Sequence, residues 1–378
     1  MRQMKLEILQ ENLAKGLSNS SRSVSSKPQM PILANVLLST DNGQLKLATT
    51  NLEMGITLWV GARIEKEGSF TVPAKTLNEL VTGLRPGKIE MELVDGQLSL
   101  KSGKFAAKIN GIPAGEWPVK EILSEDKKEE VLEVDAAELV AAINKVAFSV
   151  ALDESRPVLT GVLLKIENGT ATMVATDGFR LSCKSFKVSG SLEDRTIVVP
   201  AKALWEVGRI VGEVKNEQKL KIIFLPGQVR FLTGETEIFA RLIEGNFPVY
   251  ERIIPKETAF DVVLDKEEFL RAVKTAGIFA RDSANIIKLK LSDNDLEISA
   301  NAAQVGEDKG DVPVKVEGSV PVGGFSIAFN FRYLLDVLNI ADSEQVKISF
   351  SGPLAPGVVK IPADPDFLHI IMPVRVQG

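Results

Sequence analysis

The 378-residue chain has one cysteine and one histidine. The lone Cys183 excludes an intramolecular disulfide, which fits a reducing compartment. One thiol and one imidazole leave no Cys-His pair, no Ser-His-Asp set and no zinc ligand cluster. No GxxxxGK phosphate loop and no GxGxxG fingerprint occurs. No apolar run approaches the roughly 20 residues that span a bilayer. The opening "MRQMKLEIL" lacks the apolar core and cleavage site of a signal peptide. The expectations are a cytoplasmic protein without membrane contact, bound metal or cofactor. An excess of positive charge is missing too, with 45 Lys and Arg against 50 Asp and Glu and a net charge of −5. A small protein that wraps nucleic acid by charge alone is usually strongly basic. Either nucleic acid is not the partner, or positive charge is gathered on one surface of an acidic molecule. Carboxylates are plentiful, so composition leaves a two-carboxylate glycosidase open, but no pair stands out. His369 reads as a structural or surface residue and Cys183 as a small buried hydrophobe.

What is present is repetition, and a fixed period has to be sought before any fold is assigned. "PILANVLL" (Pro31–Leu38) returns as "PVLTGVLL" (Pro157–Leu164), and "VPAKTLNEL" (Val72–Leu80) as "VPAKALWEV" (Val199–Val207). "GEWP" from Gly115 returns as "GNFP" from Gly245. A fainter third copy carries "VVLDKEEFLRAVKTA" (Val262–Ala276) and "IAFNFRYLLDVL" (Ile327–Leu338). Three domains are expected, at 1–127, 128–256 and 257–378. The charged "SEDKKEE" and the proline-bearing "IIPKET" serve as linkers. Each copy divides into two halves of one strand, one amphipathic helix and three alternating strands. Asp95-Gly96 and Asn168-Gly169 mark hairpin turns. Six helices and roughly two dozen strands follow, with helices covering the apolar sheet face, an α+β class.

The stretch "ATDGFRLS" (Ala175–Ser182) has the look of a chemical motif. Its counterparts are "ATTNLEMGI" from Ala48 and "SANAAQVG" from Ser299, so the Asp177 carboxylate is not reproduced, and Asn51 and Asn301 stand at or near its place. Asp and Asn both hydrogen-bond nearby backbone. A strand-end turn common to all three copies is the plainer reading, and catalysis at Asp177 the sharper one. "GFRL" occurs only in the second copy. An exposed Phe179 and Arg180 there suggest a contact site, because aromatics and arginine anchor interfaces.

"ATDGFRLS", "VVPAKAL", "EGNFPVYERIIP", "FNFRYLLDVL" and "IMPVRV" together resemble the beta subunit of bacterial replicative DNA polymerase, the sliding clamp family. The resemblance covers the chain in order, with Met1–Gln3 as an extension before "MKLEIL". It implies three repeated DNA-clamp domains, each of two β-α-β-β-β halves, forming half of a closed ring with inner helices and outer sheets. Such a protein catalyses nothing. It encircles duplex DNA without reading sequence and tethers the polymerase catalytic subunit, the clamp loader and repair proteins through short linear peptides. A ring resolves the charge problem, because an acidic exterior can enclose a basic bore. DNA-facing candidates are Lys15, Arg22, Lys27, Lys75, Arg156 and Lys202, with Lys145, Arg209, Arg271, Lys274 and Arg332 as further options. Lys15 and Arg22 share a helix face if the helix reaches that far.

Carried over residue by residue, the family's peptide pocket is formed by Leu159, Thr176, Gly178, Phe179, Arg180 and Leu181. Pro248, Arg252, Ile253, Asn330, Tyr333, Val359, Met372, Pro373, Val374 and Arg375 complete it. Phe179 stands where histidine is common, and Ala284 replaces a large aromatic at the rim. A head-to-tail homodimer would close by edge-strand pairing, with Ala107 and Ile109 meeting Ile278 and Phe279. Two rivals remain beside this reading: an enzyme using Asp177 and Arg180, and a repeat-built scaffold that never meets DNA.

Overall fold

The computed structural model describes residues 4–25, 28–118, 130–190, 194–213, 218–292 and 294–375. Among them are six α-helices and 26 strands. The helices are α1 (Gln10–Ser20), α2 (Ala74–Thr82), α3 (Ala136–Val146), α4 (Ala201–Glu213), α5 (Lys266–Ala280) and α6 (Phe331–Ile340). Every strand pairing is antiparallel, and each half-repeat shows the expected strand, helix and strand triplet.

Local chemistry sets these elements. The hairpins at Asn42-Gly43, Asp95-Gly96 and Asn168-Gly169 turn through left-handed residues, with φ of 48° and 78°, 50° and 77°, 50° and 70°. Asn, Asp and Gly are the residue types that tolerate this conformation. The helix that opens each repeat starts by one device. Its first amide donates to a backbone carbonyl just before a later strand of the same repeat: Gln10 to Gly87 at 2.8 Å, Ala136 to Gln218 at 3.1 Å and Lys266 to Glu344 at 2.9 Å. Side-chain caps add to this where the sequence supplies them. Asp135 accepts from the Ala137 amide, Asp265 from Glu268 and Asn330 from Arg332.

The described residues form two compact bodies, one from 1–137, 188–192 and 202–242 and the other from 138–187, 193–201 and 243–378. The second repeat is therefore shared between them. In the first body, strand Met54–Gly61 of repeat one pairs with Thr236–Arg241 of repeat two, in the register Met54↔Ala240 to Leu58↔Thr236, inside a nine-stranded sheet. In the second body, Arg180–Lys187 of repeat two pairs with Asp364–Ile371 of repeat three, from Arg180↔Ile371 to Lys184↔Phe367, inside a twelve-stranded sheet. Tracing the hairpin registers through each copy makes Met54 equivalent to Arg180 and Ala240 equivalent to Ile371. The two junctions are one structure built twice. In each, the residue after the last register pair donates to the turn that precedes the first strand: Arg241 N to Glu53 O and Met372 N to Phe179 O, both 2.8 Å.

The core of repeat three buries α5 and α6 against its sheets through Phe260, Phe269, Phe329 and Phe350, among others. A smaller cluster around Leu181, Tyr250, Val358 and Ile370 sits under the repeat two–three junction. Burying such side chains stabilises by about 1.5–3 kcal/mol each.

Candidate functional site

The turn after strand Thr170–Thr176 is held by its own side chains. Asp177 Oδ1 accepts from the amides of Phe179 at 2.8 Å and Arg180 at 3.0 Å. Thr176 Oγ1 donates to the Arg180 carbonyl at 2.6 Å and accepts from the Gly178 amide at 3.0 Å. The first repeat builds the same turn. Asn51 Oδ1 accepts from the Glu53 and Met54 amides at 3.0 and 2.8 Å, and Thr50 Oγ1 accepts from Leu52 at 3.0 Å. Asp177 is thus a turn residue, with Oδ1 occupied by two backbone amides and Oδ2 by the Arg180 side chain. The third copy also turns at its strand end, at residues 303–305, where the Val305 amide donates to the Ala302 carbonyl at 3.0 Å, but Asn301 takes no part in that turn: it stays within strand Asp295–Ala302, paired with Glu307.

Gly178 is required twice over. Its φ is +93°, and an added Cβ would lie 3.0 Å from Arg156 Nη1. Arg156 reaches across this turn and donates to the Asp177 carbonyl at 3.0 Å. Phe179 projects outward, 59% exposed.

Arg180 departs from expectation. It is not an exposed anchor, since its side chain is 10% exposed. Nε donates to Asp177 Oδ2 at 3.1 Å, Nη1 pairs with Asp336, and Nη2 donates to the Phe148 carbonyl at 2.8 Å. The guanidinium also lies 4.7 Å from the Tyr333 ring centroid, a cation–π arrangement. Burial, with the Asp177 charge nearby, raises the Tyr333 hydroxyl above its ordinary pKa. Asp336 could have been found from sequence, three positions after Tyr333 on α6 and so on a neighbouring face. Phe148 contributes a carbonyl, which no sequence pattern signals.

Behind the turn runs a buried polar chain. Ser149 Oγ and Ser182 Oγ are 2.7 Å apart, and Ser182 Oγ is 2.7 Å from His369 Nδ1. His369 is fully buried, which resolves the choice between structural and surface roles. Burial, then the Arg180 charge, push its pKa down to about 3. It is the only imidazole, so its proton resonances should not titrate between about pH 5 and 8, where an ordinary histidine does. A midpoint near 6.5 in an NMR titration would contradict that. Cys183 is buried and its thiol is pushed up to about 11, by burial first and then by Glu251.

The residues assigned to a peptide pocket all fall in the second body. Leu159, Thr176, Leu181 and Val359 are buried, while Asn330, Tyr333, Ile253, Pro373 and Val374 are half-buried. Gly178, Phe179, Pro248, Arg252, Met372 and Arg375 are exposed. Ile253 and Phe247 pack on the cluster containing Leu181 and Tyr250. Val374 N donates to Ala328 O at 2.8 Å, which carries the tail alongside α6's preceding strand (Phe325–Asn330).

The basic candidates are less uniform. Lys15, Lys75 and Lys202 are exposed on α1, α2 and α4. Arg22 lies beyond α1 in a 3-10 turn (Ser21–Ser23), 3.9 Å from Glu206. Lys27 lies outside the described residues. Arg209 is held by Glu206, Glu213 and Asn19. Lys145 is not an outward-facing cation, because it is 13% exposed and bound to Asp364. Of the four interface candidates, Ile278 is 55% exposed, Phe279 and Ala107 are half-buried, and Ile109 is turned into its own core at 7%. Among the described residues no cluster of three or more His, Cys, Asp and Glu could hold a metal. No helix among them is long and apolar enough to cross a membrane.

Three family models match along the chain: the DNA polymerase III beta subunit N-terminal domain at 4–121, central domain at 133–249 and C-terminal domain at 251–375. The beta sliding clamp of Synechococcus elongatus is 30% identical over 385 residues, covering 99% of this chain and 100% of the relative. The crystal structure of the Bacillus subtilis sliding clamp matches with a TM-score of 0.92 at 26% identity, over 99% of this chain and 100% of that one. A Pseudomonas aeruginosa sliding clamp bound to griselimycin matches with a TM-score of 0.90 at 29% identity, with the same coverage. Three matched domains in order, on a fold that repeats three times, place this chain in the DNA polymerase III beta subunit family, the beta sliding clamps.

Proposed function

We propose that two copies of this chain join head to tail around duplex DNA and hold a DNA polymerase there. Sliding clamps of this family are non-catalytic processivity factors, and the Asp177 carboxylate, spent on its own turn, suits such a role. The proposal assigns the domains to 1–127, 128–256 and 257–378 and the protein to the cytoplasm.

One observation carries the head-to-tail reading. The strand junction seen twice within the chain has its two halves left over, one near each end. The counterpart of Thr236–Arg241 in repeat one is Phe105–Asn110, the last strand of a five-stranded sheet. The counterpart of Arg180–Lys187 in repeat three is the first part of Gly306–Gly318. There residues 306–313 pair only with Asp295–Ala302, and the strand's other neighbour begins at Val314. Open edges are pairing surfaces. Copying the internal register gives Gly306↔Ile109, Glu307↔Lys108 and Asp308↔Ala107 between chains, which sets acid opposite base. Phe279 lies under this edge, 3.7 Å from where a Gly306 Cβ would be, and with Ile278 supplies apolar cover. A Glu307→Cys, Lys108→Cys double variant should therefore form an intermolecular disulfide under mild oxidation, in higher yield than Glu307→Cys with Asn110→Cys. Equal yields would reject the register.

Lys15, Arg22, Lys27, Lys75, Arg156 and Lys202 are assigned to phosphate contacts that carry no sequence information and so permit sliding. Leu159 and Leu181 floor a groove whose outer parts are Phe179, Pro248, Arg252, Ile253 and Met372–Arg375, while Val359 turns into the repeat-three core and its neighbour Val358 packs on Leu181's side. Arg180, Thr176 and Gly178 set its turn, and Asn330 and Tyr333 form its α6 side. An apolar floor with a few polar groups suits an extended peptide with hydrophobic anchors, offered by polymerase, loader or repair proteins. The test is retention on nicked circular plasmid with a matching loader and ATP. Retention lost on linearisation supports a topological link, and equal behaviour on both forms rejects it.

A further inference from the structure

Each internal junction fills the space on its helix side with a side chain from its first strand. At the repeat one–two junction that residue is Leu58, paired with Thr236 and pointed at α1, where a Cβ on Gly16 would lie 3.7 Å from it. At the repeat two–three junction it is Lys184, paired with Phe367. Lys145 Nζ on α3 donates to Asp364 Oδ2 at 2.6 Å and Lys184 Nζ to Asp364 Oδ1, with all three side chains 13–14% exposed. Carrying the register between chains two steps past Asp308↔Ala107 brings Gly310 to the place of Leu58 and Lys184, opposite Phe105 of a second copy.

Gly310 leaves that space open. Within its own chain it pairs with Ile298, which is buried in the repeat-three core with Phe269 and Val273 of α5, so position 310 faces the helix side of the sheet. A Cβ added there would meet no atom within 4 Å. Its φ is not positive, so the backbone does not call for glycine. Phe105 is the converse, a large apolar side chain without cover, 41% exposed at the start of the open edge strand Phe105–Asn110. It shares a strand face with Ala107 and Ile109, and Ile109 turns into its own core, so the ring also stands on the helix side.

We propose that Phe105 of each copy inserts over Gly310 of the other and is the steric lock of the seam. The inference rests on the head-to-tail reading and adds to it the side chain that selects the partner edge. A ring laid on a cross-strand glycine covers backbone that water would otherwise reach, at the cost of no competing side chain. The wall beside the slot is α5, where Thr275 takes the position of Lys145 and Ile278, one turn on, is 55% exposed. Of the three equivalent strand positions, Leu58 and Lys184 already carry a side chain, so Gly310 is the one that admits the ring. Shape thus directs Phe105 to a second copy's third repeat and away from the edges used inside the chain.

The test is a swap that rebuilds the Leu58–Thr236 pair at one seam of the full-length protein. Phe105→Thr leaves Gly310 uncovered at both seams of a homodimer, and Gly310→Leu sets a leucine against Phe105 at both. Each variant should dimerise at least tenfold more weakly than the parent in sedimentation equilibrium. Mixed in equal amounts, the two variants leave one seam parental and make the other a copy of the repeat one–two junction. Native mass spectrometry should then find the heterodimer in excess over the statistical half. Neither position belongs to the buried core, and circular dichroism checks each variant, so one that misfolds leaves the other to decide. A folded variant that dimerises as tightly as the parent, or a mixture at the statistical ratio, would overturn the lock. The Glu307→Cys, Lys108→Cys disulfide separates this from the reading beneath it. If that disulfide forms while Phe105→Thr changes nothing, the lock alone is lost, and if it does not form with Phe105 and Gly310 in place, the seam is lost with it.

Discussion

Replacing Arg180 by alanine should cost about 3 kcal/mol of stability and at least tenfold in affinity for a partner peptide. The side chain serves four partners at once: Asp177, Asp336, the Phe148 carbonyl and the Tyr333 ring. Its loss leaves the Phe148 carbonyl and one Asp177 oxygen without this donor, which is the expensive direction. The Asp336 side chain is 44% exposed, so water recovers part of the loss there, and the lower end of the buried-pair range applies. Tyr333 would also lose the group it stacks on. Arg180→Lys should recover only a fraction, because a point charge cannot reproduce three directed donors. Urea melts and anisotropy of a labelled peptide measure the two effects. A variant within 1 kcal/mol of the parent would show that the network is decorative.

The second large effect is expected at Asp364. Asp364→Ala strands Lys145 and Lys184 together without their carboxylate, and a loss of about 3–5 kcal/mol follows from the uncompensated charge. Burial alone would raise the Asp364 pKa, but hydrogen bonds and charge from Lys145 and Lys184 outweigh it and hold the group below its ordinary value. The sign follows: stability from this carboxylate is fully present above the unfolded pKa of about 3.9 and is lost as pH falls through the lower folded value. Between pH 5 and 8 the contribution should be flat. Replacing all three residues by their counterparts at the repeat one–two junction, Asn19, Leu58 and Thr236, in a Lys145→Asn, Lys184→Leu, Asp364→Thr variant should cost much less than Asp364→Ala, since no buried charge remains. Thermal melts of the two variants decide it, and equal losses would refute the charge argument.

The repeat order, the hairpin turns and the strand-helix-strand plan were legible because they depend on local rules: φ-tolerant residues, capping side chains and alternating polarity. The turn at Asp177 was legible for the same reason, as its twin at Asn51 uses the same two-amide cap. What escaped depended on contacts distant in sequence. Lys145 reads as an exposed cation on a helix until Asp364 arrives from 219 residues away. Arg180 reads as an exposed anchor until α6 brings Asp336 and Tyr333 over it. Ile109 sits on an edge strand, yet strand alternation turns its side chain inward. Asn301 resembles Asn51 in the chain but has no cap to make, because strand pairing continues past it.

The two unpaired edges lie at different places on the same chain, so a closed pair would contain two identical seams. Severing one seam would not release a subunit, because the other still holds it. The parted ends would stay at an effective concentration in the millimolar range, set by the intact seam rather than by the number of molecules in the cell. Reclosure would then be a first-order event, insensitive to dilution, while complete dissociation would require both seams to open at once.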